Sequence, residues 1–172
     1  MFWGSFRGIY ATELTDNGLE IKKNTDGPPV LKKRICGNRF EGTNIYKRGE
    51  YYYLFASIGT CCNGATSTYQ TVVGRSKNVL GPYLDKTGRD MLYDYCEIIM
   101  SGNETWAGPG HNSILIQDDV GTDWIIYHGY KKKEAENGRY VLMDKLIWSN
   151  DGWPSVKSNA PSILEVAPYF QK

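Results

Sequence analysis

Asn44-Ile45-Tyr46-Lys47, the turn Arg48-Gly49-Glu50 and the run Tyr51-Tyr52-Tyr53-Leu54-Phe55-Ala56 decide the fold. They read as two β-strands joined by a tight connection, because β-branched and aromatic residues suit a pleated surface and glycine opens the turn. The pattern returns about 70 residues on, as Asn112-Ser113-Ile114, a turn, and Trp124-Ile125-Ile126-Tyr127, and such a period marks a repeated sheet unit. After each copy a further strand pair is expected and then a Gly/Pro turn, Gly81-Pro82-Tyr83 in one and Gly152-Trp153-Pro154 in the other. A third copy survives as a tail from Phe2 to Gly18, in which a strand from Gly8 to Leu14 ends at the hairpin signal Asp16-Asn17-Gly18. Repeated four-strand units with glycine and aromatic marks predict an all-β partial β-propeller. A β-sandwich would need no such period.

Further strands are expected over Thr68–Gly74, Ser113–Gln117, Trp124–His128 and Arg139–Trp148, and no long segment has helical periodicity. Two full units and a partial third leave blade faces uncovered, since blades are stabilised by packing on both neighbours. The 172 residues are therefore expected to form a single incomplete propeller domain, 1–172, whose amino-terminal blades precede Met1. Twenty basic against nineteen acidic side chains argue against a general nucleic-acid binder. No apolar run approaches the roughly 20 residues that span a bilayer. The aromatic share of 13% suits sugar binding, because sugar C–H groups pack on flat π-faces, although most of the thirteen tyrosines read as fillers of sheet faces.

The four cysteines, Cys36, Cys61, Cys62 and Cys96, lack paired C-x-x-C spacing, so a zinc site is not indicated. Buried thiols are the plainer reading, and spacing leaves a Cys36–Cys96 bridge open. The Gly74-Arg75-Ser76-Lys77 segment lacks P-loop spacing. The charge run Lys131-Lys132-Lys133-Glu134-Ala135-Glu136 reads as a solvated loop.

In a propeller the innermost strands line a channel, and polar groups at their leading ends converge. Glu41, in a loop just before the first strand of its unit, is one such group, and beside apolar Phe40 it suits proton donation. His111 occupies the corresponding place in the next unit, among glycines that permit close backbone approach to a ligand or ion. Equivalent repeat positions aim both at one axis.

These residues carry a resemblance. Phe40-Glu41-Gly42-Thr43-Asn44-Ile45-Tyr46-Lys47, Tyr51-Tyr52-Tyr53-Leu54-Phe55-Ala56-Ser57, Cys61-Cys62-Asn63-Gly64 and Ser67-Thr68-Tyr69 resemble glycoside hydrolase family 43. So do Val73-Gly74-Arg75-Ser76-Lys77, Gly81-Pro82-Tyr83, Gly108-Pro109-Gly110-His111-Asn112 and Asp151-Gly152-Trp153-Pro154. Within that family the chain is most similar to endo-acting α-1,5-L-arabinanases.

The resemblance implies a five-bladed β-propeller that hydrolyses glycosidic bonds with inversion. It implies an Asp base in the first blade, an Asp that tunes and orients in the second, and a Glu acid in the third, which Glu41 matches. It also implies a metal, commonly calcium, at His111 in the channel, and places Gly4, Ser5 and Phe6 beside the substrate cleft. Both Asp residues would precede Met1. An inverting pair stands roughly 6.5–9.5 Å apart, so this polypeptide by itself is expected to be inactive, while the full-length protein degrades plant cell-wall arabinan. The full-length protein is expected to be secreted or periplasmic. The alternatives are an exo-acting α-L-arabinofuranosidase or β-xylosidase, and a non-catalytic sugar-binding relic.

Overall fold

Along Tyr51–Ile58, Tyr53 and Phe55 point one way and Leu54, Ala56 and Ile58 the other, and all five are buried. In the computed structural model, which describes residues 1–23 and 32–171, this strand lies at the heart of the middle sheet of the chain. Strands β1 (Phe2–Trp3), β2 (Ile9–Ala11) and β3 (Lys33–Cys36) form a first antiparallel sheet in that order. Strands β4 (Glu41–Arg48), β5 (Tyr51–Ile58), β6 (Gln70–Ser76) and β7 (Glu97–Met100) form a four-stranded antiparallel meander. In the third sheet, β8 (Trp106–Gly110) and β9 (Ile116–Gln117) both pair with β10 (Asp123–Lys131), which pairs in turn with β11 (Tyr140–Lys145). Strands β12 (Ile147–Trp148) and β13 (Pro154–Ser155) close a short ribbon. These are successive blades of a β-propeller whose sheets do not close into a ring.

Two cores follow from the alternation. Leu54, Ala56, Ile58 and Val72 pack with Ile9, Ile35, Phe40 and Met91 against the first sheet. Tyr53, Phe55 and Val73 pack with Ile125, Tyr127, Leu146 and Trp153 against the third. At the end of the blade where β4 turns into β5, tyrosine hydroxyls join neighbouring sheets. Tyr46 donates to Asp123 Oδ1 at 3.1 Å and Tyr53 to the Gly152 carbonyl at 2.6 Å.

The strands differ from sequence expectation at their ends. The Gly8–Leu14 strand shortens to Ile9–Ala11, and Leu14 instead bridges Ile21 around the Asp16-Asn17-Gly18 turn. The first unit also runs past Gly18 to include β3. Of Ser113–Gln117 only Ile116–Gln117 is strand, and Ile114 is 67% exposed. Gly81-Pro82 falls between β6 and β7, after a single strand and not after a pair. The charge run includes a 3₁₀ segment, Lys132–Asn137, with Lys131 paired to Glu134 at 2.6 Å. Cys36, Cys61, Cys62 and Cys96 are all free thiols, so the Cys36–Cys96 bridge is not formed. Among the described residues no helix is long and apolar enough to cross a membrane.

Because β5 is covered on both faces, neighbouring positions on it should be equally intolerant. Leu54→Ala and Phe55→Ala should each destabilise the protein by about 2–5 kcal/mol, the usual range for emptying a core site. Urea unfolding checks this. In a half-exposed strand one of the pair would be nearly neutral.

Candidate active site

Glu41 opens β4 and does not lie in a loop ahead of it. Its register explains why the sequence hid this. Asn44 faces Phe55 but Glu41 faces Ser57, so β4 carries one extra residue between them. That residue makes a β-bulge, which bends a strand and re-aims a side chain. Gly42 supplies the bulge with φ +62°, a left-handed conformation that glycine adopts without steric cost, and a Cβ there would stand 3.2 Å from the His111 ring. Phe40 does not cover the carboxylate, because it is fully buried in the core shared with the first sheet. Two hydroxyls hold Glu41 instead. Ser5 Oγ donates to Oε2 at 2.8 Å, and the Tyr69 hydroxyl donates to Oε1 at 2.5 Å.

His111 lies in the gap between β8 and β9, where its own φ of +52° interrupts the ladder. Its backbone N–H donates to Ser57 Oγ at 2.7 Å, and Thr71 Oγ1 donates to the Pro109 carbonyl at 3.2 Å. Ser57 and Thr71 are cross-strand partners, so one rung of the middle sheet seats the backbone on both sides of Gly110. Gly110 is needed for close approach, since a Cβ there would come within 2.4 Å of the Tyr69 ring. His111 Nδ1 stands 3.3 Å from the Tyr69 hydroxyl.

Tyr69 and His128 complete the site and were not singled out from the sequence. Tyr69 is fully buried, and its ring stacks on His128 with centroids 5.8 Å apart and planes 16° apart. Burial first, and then the hydrogen bond to Glu41, push its phenol far above the ordinary tyrosine range, so it stays a donor. Burial also pushes the His128 imidazole down to about 4, helped by the nearby charges of Arg139 and His111. The signal that could have found His128 was its rarity as one of two histidines, at the far end of a strand already assigned.

One cleft of about 310 Å³ gathers Phe2, Trp3, Gly4, Ser5, Glu41, Gly42, Thr43, His111 and Asn112. The structure therefore brings Gly4, Ser5, Glu41 and His111 together. Phe6 is not in this lining; it is 41% exposed, and its backbone N–H donates to the Phe40 carbonyl. Glu41 is the one carboxylate among the described residues that line the cleft.

Calcium takes six to eight oxygen ligands. Among the described residues no three His, Cys, Asp or Glu side chains converge on one point. His111 offers a single nitrogen, and the buried Oδ1 of neighbouring Asn112 lacks a hydrogen-bond partner among the described residues. That donor set suits a largely hydrated cation and does not form a protein cage.

Residues 1–154 match the family Glycosyl hydrolases family 43. The chain is 45% identical over 118 residues to an extracellular exo-α-(1→5)-L-arabinofuranosidase of Cellvibrio japonicus, covering 69% of this chain and 33% of that protein. It is 41% identical over 155 residues to an extracellular endo-α-(1→5)-L-arabinanase of Bacillus subtilis, covering 89% of this chain and 45% of the relative. Its structure matches a Cellvibrio cellulosa α-L-arabinanase, solved as a complex with arabinohexaose, at a TM-score of 0.79 and 35% identity, over 92% of this chain and 52% of the other. The chain thus spans a third to about half the length of these relatives.

The half-buried imidazole yields a pH prediction. In an NMR titration His128 should stay neutral down to about pH 4, whereas an unfolded histidine takes its proton near 6.5. Between those values the unfolded chain binds more protons, so this group's contribution to stability declines as pH falls through that window. Arg139→Ala should move the His128 midpoint upward. A native midpoint near 6.5 would contradict the neutral state.

Proposed function

The chain belongs to glycosyl hydrolases family 43, and from that premise we propose that the full-length protein hydrolyses α-1,5-linked L-arabinofuranosyl chains with Glu41 as general acid. The observation that carries the reading is the Glu41 carboxyl in an open cleft, each oxygen held by a separate hydroxyl donor. A carboxyl so fixed can meet a glycosidic oxygen and pass it a proton as the bond to the sugar carbon breaks. Inversion needs a second carboxylate to activate water on the opposite face of the sugar, at roughly 6.5–9.5 Å. The described lining of this cleft supplies only Glu41, so that base would come from the part of the full-length protein that this chain does not span.

Arabinan oligosaccharide is the proposed substrate, taken from relatives named for that activity. Gly4 and Ser5 would border the bound sugar, with Phe2 and Trp3 offering ring surface beside them. His111 would touch a hydrated calcium ion, whose positive charge would favour the electron-rich oxygens of a sugar. The extracellular naming of the relatives supports export of the full-length protein.

Glu41→Gln in the full-length enzyme should lower kcat on arabinan oligosaccharides by about 10²–10⁴-fold, with KM nearly unchanged. Unaltered turnover would remove Glu41 from the acid role. Chromatography of early products separates the two modes found among the relatives: a spread of oligosaccharides marks endo action, and one released product marks exo action. For the metal, calorimetric titration with calcium should show binding that His111→Ala abolishes. Equal binding by both proteins would remove His111 from the cation site.

A further inference from the structure

Tyr69 does more than fill space between the second and third sheets. A buried phenol needs an acceptor for its O–H, and this one meets Glu41 Oε1 at 2.5 Å, shorter than the usual spacing of two neutral hydroxyls. The ring cannot easily move. It is fully buried, stacked on His128, and confined by the side-chain-free backbone at Gly110. The second donor to Glu41 differs: Ser5 is exposed, and its hydroxyl can rotate and exchange with water. One carboxyl oxygen is therefore tied to a rigid buried donor and the other to a loose, exposed one.

We infer that Tyr69 is the positioning residue for the acid, holding Oε1 as a fixed acceptor so that the transferable proton rides on Oε2 at the cleft side. This inference rests on the acid role proposed for Glu41. When the proton passes from Oε2 to the glycosidic oxygen, the bond between that oxygen and the sugar carbon breaks as base-activated water bonds to that carbon, and the leaving chain departs as an alcohol. Glu41 is left as a carboxylate, and the Tyr69 O–H donates to the charge as it develops. A donor aimed at the charged product assists the transfer and adds little to substrate binding.

The test compares Tyr69→Phe with the parent in the full-length enzyme, on two substrates. One is an arabinan oligosaccharide, whose departing sugar oxygen needs a proton. The other is a nitrophenyl arabinofuranoside, whose phenolate leaves without help. Tyr69→Phe should lower kcat on the oligosaccharide about tenfold with KM unchanged, the scale of one lost hydrogen bond to a charged group. On the nitrophenyl substrate the loss should be under about twofold on the same reasoning. The ratio of the two rates does not depend on how much protein is folded, so partial unfolding cannot imitate the result. Equal losses on both substrates would overturn the inference. Glu41→Gln is run alongside: selective loss there with no selectivity in Tyr69→Phe sinks the positioning role alone, whereas no selectivity in Glu41→Gln removes the acid role and the inference with it.

Discussion

The structure depends on β5 being buried on both faces. A strand with one wet face can tolerate a change on that side, but here Leu54 and Phe55 serve two different cores. Side chains two apart share a face, so Ser57 follows Tyr53 and Phe55 toward the third sheet. It arrives where the apolar contact ends and becomes the acceptor for the His111 N–H. Apolar packing thus joins the two blades, and a polar rung at its end holds the backbone on both sides of Gly110.

Carrying the polar rung requires giving up regular structure in the third sheet. Its edge strand is split, and the break holds His111 in a left-handed backbone conformation that a side-chain-bearing residue seldom adopts. Pro109 at the end of β8 has no N–H to offer the ladder, while its carbonyl is taken by Thr71. Ile114, next to this break, is exposed, and strand resumes only at Ile116. Irregular geometry supported by a rigid sheet is the usual condition of a functional site.

The sequence made the repeat legible because period-2 alternation and glycine turns are local signals. It pointed to Glu41 and His111 as equivalent, and both line one cleft. What it could not convey was register. The bulge at Gly42 makes Glu41 part of a strand although its pattern with Asn44 is broken, and the apolar run through Ile114 looked like strand although the ladder is interrupted there. Tyr69 was hidden for another reason. Thirteen tyrosines made any one of them a plausible filler, and its distinction lies in partners 28 and 42 residues away. Phe40 misled in the opposite sense: adjacent to Glu41 in sequence, it points into a different core.

Electrostatics link these pieces. A stack of His111, His128 and Tyr69 behind an acid would oppose protonation of that acid if its imidazoles were both charged, by placing positive charge near the carboxyl. Burial keeps His128 neutral, and Arg139 close to its Nε2 reinforces that state. The half-buried ring therefore acts on Tyr69 by shape and stacking and contributes no cation of its own at neutral pH. Among the described residues its Nδ1 has no hydrogen-bond partner, a cost that a merely space-filling residue such as leucine would avoid. That cost makes sense if a flat, uncharged ring is what the phenol beside Glu41 requires.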